Sequence, residues 1–217
     1  TVFLIIGFTN HLVNLVCRII PNSSKDDAEK EEEPHYFYVD EKMLRTPIIA
    51  VPQVKLEIEN MAAIAMRNFD IAIQTAINMD FSDKKEFQKN ELQLNFLNRA
   101  LVTYIVQLNN STISEVDRRY LTSAIRSISD IERVGDYAEN IVEYTEVMSA
   151  ANERFPESTC LEFEQMKETI TTLYNHVMKA YNDQDMEALR LAKEVEEQVD
   201  DLTEYMEKKH IDRLTSG

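Results

Sequence analysis

Three glycines in 217 residues set the strongest limit on this chain. Gly7 and Gly217 lie near its ends, which leaves Gly135 alone in the body. Tight hairpins need residues at positive φ, a conformation that glycine adopts without steric cost, so a sheet-rich fold is excluded. Long runs of Glu, Lys, Gln, Leu and Ala point the same way, and the chain reads as all-α, an antiparallel helical bundle. The same scarcity removes several chemistries. Phosphate-cradling loops, dinucleotide fingerprints and nucleophile elbows all require clustered glycines.

Gly135 itself poses a problem, because it sits inside IERVGDYAENIVEY, residues 131–144, which otherwise reads as strong helix. A glycine there costs about 1 kcal/mol relative to alanine. The expected compensation is close packing: without a side chain at 135, another helix backbone can approach and bring a second set of carboxylates near.

Charge narrows the partners. Thirty-nine acidic against 23 basic residues give a net charge of −16, which repels nucleic acid and favours cations or basic surfaces. Cys17 and Cys160 form no C-x-x-C pair and no disulfide framework.

The first twenty residues, TVFLIIGFTNHLVNLVCRII, are apolar, yet Asn10, His11 and Asn14 interrupt them well short of the roughly 20 apolar residues that a full span needs. From residue 10 the pattern is amphipathic. Residues 1–21 are therefore read as the end of a membrane helix running into an interfacial segment, the alternative being an amphipathic helix packed on its own domain. NSSKDDAEKEEEP, residues 22–34, is a solvated linker, and Tyr36 to Val39 suit an extended piece lying on a helical body, so 22–46 is linker and entry segment.

Residues 47–217 form the helical domain. Pro47 and Pro52 delimit a helix start, and the first helix is expected over 52–79. Ser82 or Asp83 caps a second reaching 108, and Thr112 or Ser114 caps a third reaching 151. A break at 155–158 precedes a fourth helix to 181, and Asp183 caps a fifth to 214. The order suggests two three-helix repeats, the first over 47–151 and a partial second over 157–217.

The third helix carries the distinctive chemistry. Leu121, Ala124, Ile128, Ile131, Val134, Gly135, Ala138, Ile141 and Val142 fall on one broad apolar stripe read as buried, and Glu132, Asp136, Glu139 and Glu143 run along its edge at spacings of four, three and four. Stacked like charges destabilise an isolated helix. Such a column beside an apolar seam is either a solvated acidic face or a platform for a hard cation, which takes oxygen ligands. Pairs four apart at a core border recur as Glu196 and Asp200 in the fifth helix, and as Glu91 and Asn95 in the second.

SDIERVGDYAENIVEY, residues 129–144, resembles the signature of the PhoU phosphate-uptake regulators, whose E/D-x-x-x-D motifs surround an E-R-x-G-D core. VDEKMLRTPIIAVPQVKLEIENM, residues 39–61, is similar to the entry of the PhoU-like domain at the C-terminus of bacterial sodium/phosphate cotransporters, and residues 1–21 are similar to the end of the membrane helix preceding it. The resemblance implies a cytoplasmic regulatory domain on the cell membrane, tethered to a carrier part of the same protein, meeting phosphate only indirectly, with a homo-oligomer allowed. It also implies metal on the matching motifs: Glu132 with Asp136, Glu196 with Asp200, and Glu91 with Asn95, where a neutral donor weakens the last place. Iron, zinc, magnesium and manganese, as divalent or trivalent ions, are the candidate cations. The chain ends where a third helix of the second repeat is expected to begin.

Two rivals follow from the residues. A ferritin-like di-metal enzyme needs a Glu-x-x-His on each of two helices, and only Glu207 with His210 fits, since Glu32 to His35 spans Pro34. A helical scaffold without metal would use the carboxylates for solubility alone. With no nucleophile paired to a base and no Cys/His cluster, the chain is read as a non-enzyme.

Overall fold

Proline decides where the first helix begins, but one turn earlier than expected. In the computed structural model, which describes residues 33–216, α1 runs Pro47–Asn78 and takes Pro47 into its first turn. Pro52, expected at the boundary, lies inside the helix. It lacks the N–H that would bond the Ile48 carbonyl. Ile48 is 84% exposed, so that turn is open to water and the loss is tolerated.

Four more helices follow: α2 Lys84–Asn109, α3 Glu115–Ala150, α4 Glu157–Asp183 and α5 Met186–Ser216. No strand occurs among the described residues, so the expected all-helical bundle is what the chain forms. Ser114 caps α3, its hydroxyl accepting from the Asp117 amide at 3.1 Å. Asp83 precedes α2 without a side-chain cap bond. The cap of α5 is Asp185 rather than Asp183: its Oδ1 accepts from the amides of Glu187 and Ala188 at 2.9 and 3.0 Å. Asp183 ends α4, and the reversal is made by Gln184 in the left-handed region at φ 54°, which pushes the cap two residues on.

α1, α2 and α3 pack on one another, α4 packs on α1 and α5, and α5 touches α4 alone among the described helices. The main core joins Val54, Met61 and Ala65 of α1 to Leu94, Leu101 and Ile105 of α2 and to Leu121 and Ile128 of α3. A smaller cluster, Ile71, Ala72, Phe87, Ala138 and Val142, closes the other end of the same three helices.

The entry segment, residues 36–39, is neither helix nor strand and is tied to the helical body. Val39 is buried in the core, and a single turn of 3-10 helix follows at Glu41–Arg45. What holds the segment is the carboxylate of Glu57 on α1, which is fully buried. Its Oε2 accepts from the amides of Phe37, Tyr38 and Val39 at 2.9, 2.6 and 3.1 Å. Gln93 of α2 adds two bonds to the backbone of His35, and the Tyr104 hydroxyl donates to the Asp40 carbonyl. Three N–H donors stand in for the water that this buried carboxylate has lost.

No described helix is long and apolar enough to cross a membrane. Residues 1–21, read as the end of a membrane helix, and most of the 22–34 linker lie outside the described residues.

Candidate functional site

The acidic column of α3 meets the rest of the molecule at one place. Across from Gly135, α2 presents Glu91, 7% exposed, and Leu94. A Cβ at position 135 would stand 2.8 Å from Leu94 Cδ1 and 3.1 Å from Glu91 Oε1. The missing side chain makes room for another helix, as expected, but a carboxylate and a leucine side chain fill the space rather than a helix backbone.

Glu91, Asp136 and Glu139 each offer a carboxylate oxygen, and these atoms lie within 4.8 Å of one another. Glu91 is buried while Asp136 and Glu139 stand on the exposed rim. Burial pushes the Glu91 carboxyl above the usual range; an Asn68 hydrogen bond opposes this, and the charges of Glu139, Asp136 and Glu132 reinforce it. No Lys or Arg forms an ion pair with any of the three among the described residues.

Asn68 of α1 completes the arrangement from the third helix. It is fully buried, and its amide nitrogen donates to Glu91 Oε1 at 2.8 Å and to the Phe87 carbonyl at 3.1 Å. Its oxygen accepts from Asn90 at 2.9 Å, which fixes the amide in the donating orientation. Asn68 was not among the residues that spacing singled out. The available signal was phase: Val54, Ile58, Met61, Ala65 and Ala72 mark the buried stripe of α1, and both Glu57 and Asn68 fall on it.

The other candidates scatter. Glu132 is half-buried, close enough to raise Glu91 but outside the group of three. Glu143 is exposed one turn beyond Glu139 and joins neither. Asn95, one turn along from Glu91, lines an open groove of about 530 Å³ with Tyr36, Phe96 and Arg99 instead. Glu196 and Asp200 are exposed on α5, which does not reach α3, so the fifth-helix pair and the third-helix column do not share a pocket.

Residues 58–145 match the family model of the PhoU domain. Every member of the acidic group, with Asn68 and Gly135, falls inside the PhoU-matching span. The span takes in most of α1, all of α2 and nearly all of α3, whereas the entry segment and the α4–α5 hairpin lie outside it. The matched span thus holds the 129–144 signature but only the end of the 39–61 segment, and it does not reach residues 1–21. No curated protein and no solved structure matches the chain.

The donor set can be tested against a cation on its own chemistry. A hard ion holds oxygen at about 2.0–2.6 Å, so two ligand oxygens on one ion stand no more than about 5 Å apart. The spread of Glu91, Asp136 and Glu139 meets that condition. A carboxyl raised by burial and then by neighbouring charges, with no basic partner among the described residues, is also the group that a cation would relieve most.

Proposed function

We propose that residues 47–217 act as the regulatory domain of a sodium-dependent phosphate transporter on the cytoplasmic side of the cell membrane. In this reading Glu91, Asp136 and Glu139 hold a divalent or trivalent cation, with Glu132 at the edge of the site. The observation that carries it is the three-carboxylate pocket at the α2–α3 junction, inside the span that matches the PhoU domain. A phosphate-related, regulatory and non-enzymatic role accords with that domain.

A cation there would be held by Glu91 of α2 with Asp136 and Glu139 of α3, and would supply the positive charge that these carboxylates lack. The chain's own residues do the rest. Asn68 orients Glu91, Gly135 gives it room, and Glu57 ties the incoming segment to α1. Modulation of uptake then passes from the bundle to the carrier through residues 33–46.

The test is phosphate uptake by the full protein and by a form lacking residues 47–217, each at high and low internal phosphate. The reading expects uptake that responds to internal phosphate in the full protein and loses that response in the shortened one. Identical behaviour of the two would contradict it. Uptake regulated equally well after Glu91→Gln with Asp136→Asn would keep the transporter context and remove the cation from it, leaving an interaction scaffold.

A further inference from the structure

The two halves of the bundle are not equally secured. Both buried clusters are built from Val39 and α1–α3, and from α4 and α5 Tyr181 alone, among the described residues, packs against them. The single buried residue of α4 is Glu162, and its partners are on α5: Arg213 at 3.2 Å to both oxygens and Lys209 at 3.7 Å. α5 buries Ala188, Ala192, Val195 and Leu202 and, among the described helices, touches α4 alone. The hairpin is therefore well tied to itself, and its attachment to the three-helix unit is a separate and weaker matter.

Three specific ties join the hairpin to the three-helix unit, and α4 packs along α1, where Tyr174 is half-buried close to Glu59. Near its start, Phe155 lies between Tyr144 of α3 and Phe163 of α4, with ring centroids 5.9 and 5.1 Å away. Partway along, Lys167 forms an ion pair with Asp70 of α1. At the far end, the Tyr181 hydroxyl meets that of Tyr120 at 2.5 Å, while Lys55 lies 5.0 Å over the Tyr181 ring and reaches the Asn182 carbonyl at 3.4 Å. The connection over 151–156 contains Asn152 at φ 55° and ends in Pro156, so the chain turns there without continuing the helix.

We infer that the α4–α5 hairpin is a hinged arm. It pivots as one body about residues 151–156, and Tyr181, Lys55 and Tyr120 form the catch at its tip, with Lys167 and Asp70 as a second tie. Few buried apolar contacts and polar ties at separate points are the features of an element that opens before its neighbours unfold. The geometry also gives leverage: α4 is about 40 Å long, so a rotation of about 10° moves the tip by roughly 7 Å. The inference is independent of any bound cation.

Spin labels at Ser123→Cys on α3 and Lys193→Cys on α5, in a Cys17→Ser, Cys160→Ser background of the full chain, report the tip distance by pulsed electron resonance. The expected result is a second, displaced population that grows about tenfold when Tyr181→Phe is combined with Lys167→Gln. Should that variant fail to fold, raising the salt of the labelled parent to about 1 M weakens the Lys167–Asp70 tie without mutation and is expected to enlarge the same population. A distance distribution that neither the loss of the ties nor salt alters would overturn the inference.

Discussion

Gly135 of α3 and Glu91 of α2 occupy one space: a Cβ on the first would stand 3.1 Å from Oε1 of the second. The relationship joins a packing fact to a chemical one, because the residue that lets α2 come close is also the residue over which its carboxylate is buried.

Gly135→Ala is expected to destabilise the protein by about 1 kcal/mol, although alanine is favoured over glycine by about the same amount in an open helix. The reason is Leu94, whose Cδ1 would be 2.8 Å from the new methyl and which is itself fully buried with little freedom to move. Chemical denaturation of the two proteins decides the sign. A more stable alanine variant would mean that the two helices are not held at this distance.

Glu91 gives the acidic pocket a pH signature when no cation is supplied. Its carboxyl is raised in the folded state by burial and by Glu139, Asp136 and Glu132. The fold then favours the protonated form, so its contribution is fully present below the ordinary glutamate range and is lost as pH rises through the raised value. In the presence of a chelator, the wild type is expected to lose stability on going from acid to neutral pH relative to Glu91→Gln. Melting curves of both proteins across that window check it, and parallel pH dependences would show that Glu91 is not strained by its neighbours.

Asn68→Ala strands Glu91 Oε1 and the Asn90 amide, and is expected to cost about 2–3 kcal/mol. Combined with Glu91→Leu, which leaves no acceptor for the Asn68 amide, the loss should fall short of the sum by about 1 kcal/mol or more, since one hydrogen bond is being removed twice. A double-mutant cycle by denaturation measures the coupling, and strict additivity would separate the two residues.

Most of the fold was legible in the sequence, and the reasons are local. Helical periodicity, the cap at Ser114 and the break at 79–83 are written within a few residues of where they act, whereas the break expected at 155–158 falls at 151–156, between Asn152 in the left-handed region and Pro156 before α4. The α3 column and Glu91 were legible for the same reason. Which helices face each other is a different question: Glu196 and Asp200 carry the same spacing as Glu132 and Asp136, yet α5 packs on α4 and turns that pair to solvent. Asn95 has the right spacing from Glu91 but faces the groove beside Tyr36. Glu57 and Asn68 were missed because a polar residue in phase with an apolar stripe resembles any other polar residue until its partners, 18 to 23 positions away, are known.

Glu57 makes a prediction of its own. Glu57→Ala removes the acceptor of three backbone amides at a fully buried position and is expected to cost about 3 kcal/mol. Hydrogen exchange should accelerate at Phe37, Tyr38 and Val39 well before it does in the α1–α3 core. Unchanged protection of those three amides would show that the entry segment is held by Gln93 and Tyr104 instead.

The central claim is that carboxylates of α2 and α3 form one cation pocket, and bound metal per chain measures it most directly. After equilibration with manganese, iron, zinc or magnesium and removal of free ions, the wild type is expected to retain at least about one ion per chain. Glu91→Gln with Asp136→Asn should lose it, while Glu196→Gln with Asp200→Asn on α5 should keep it. A wild type that retains none of these ions, or an α2–α3 variant that retains as much as the wild type, would contradict the account.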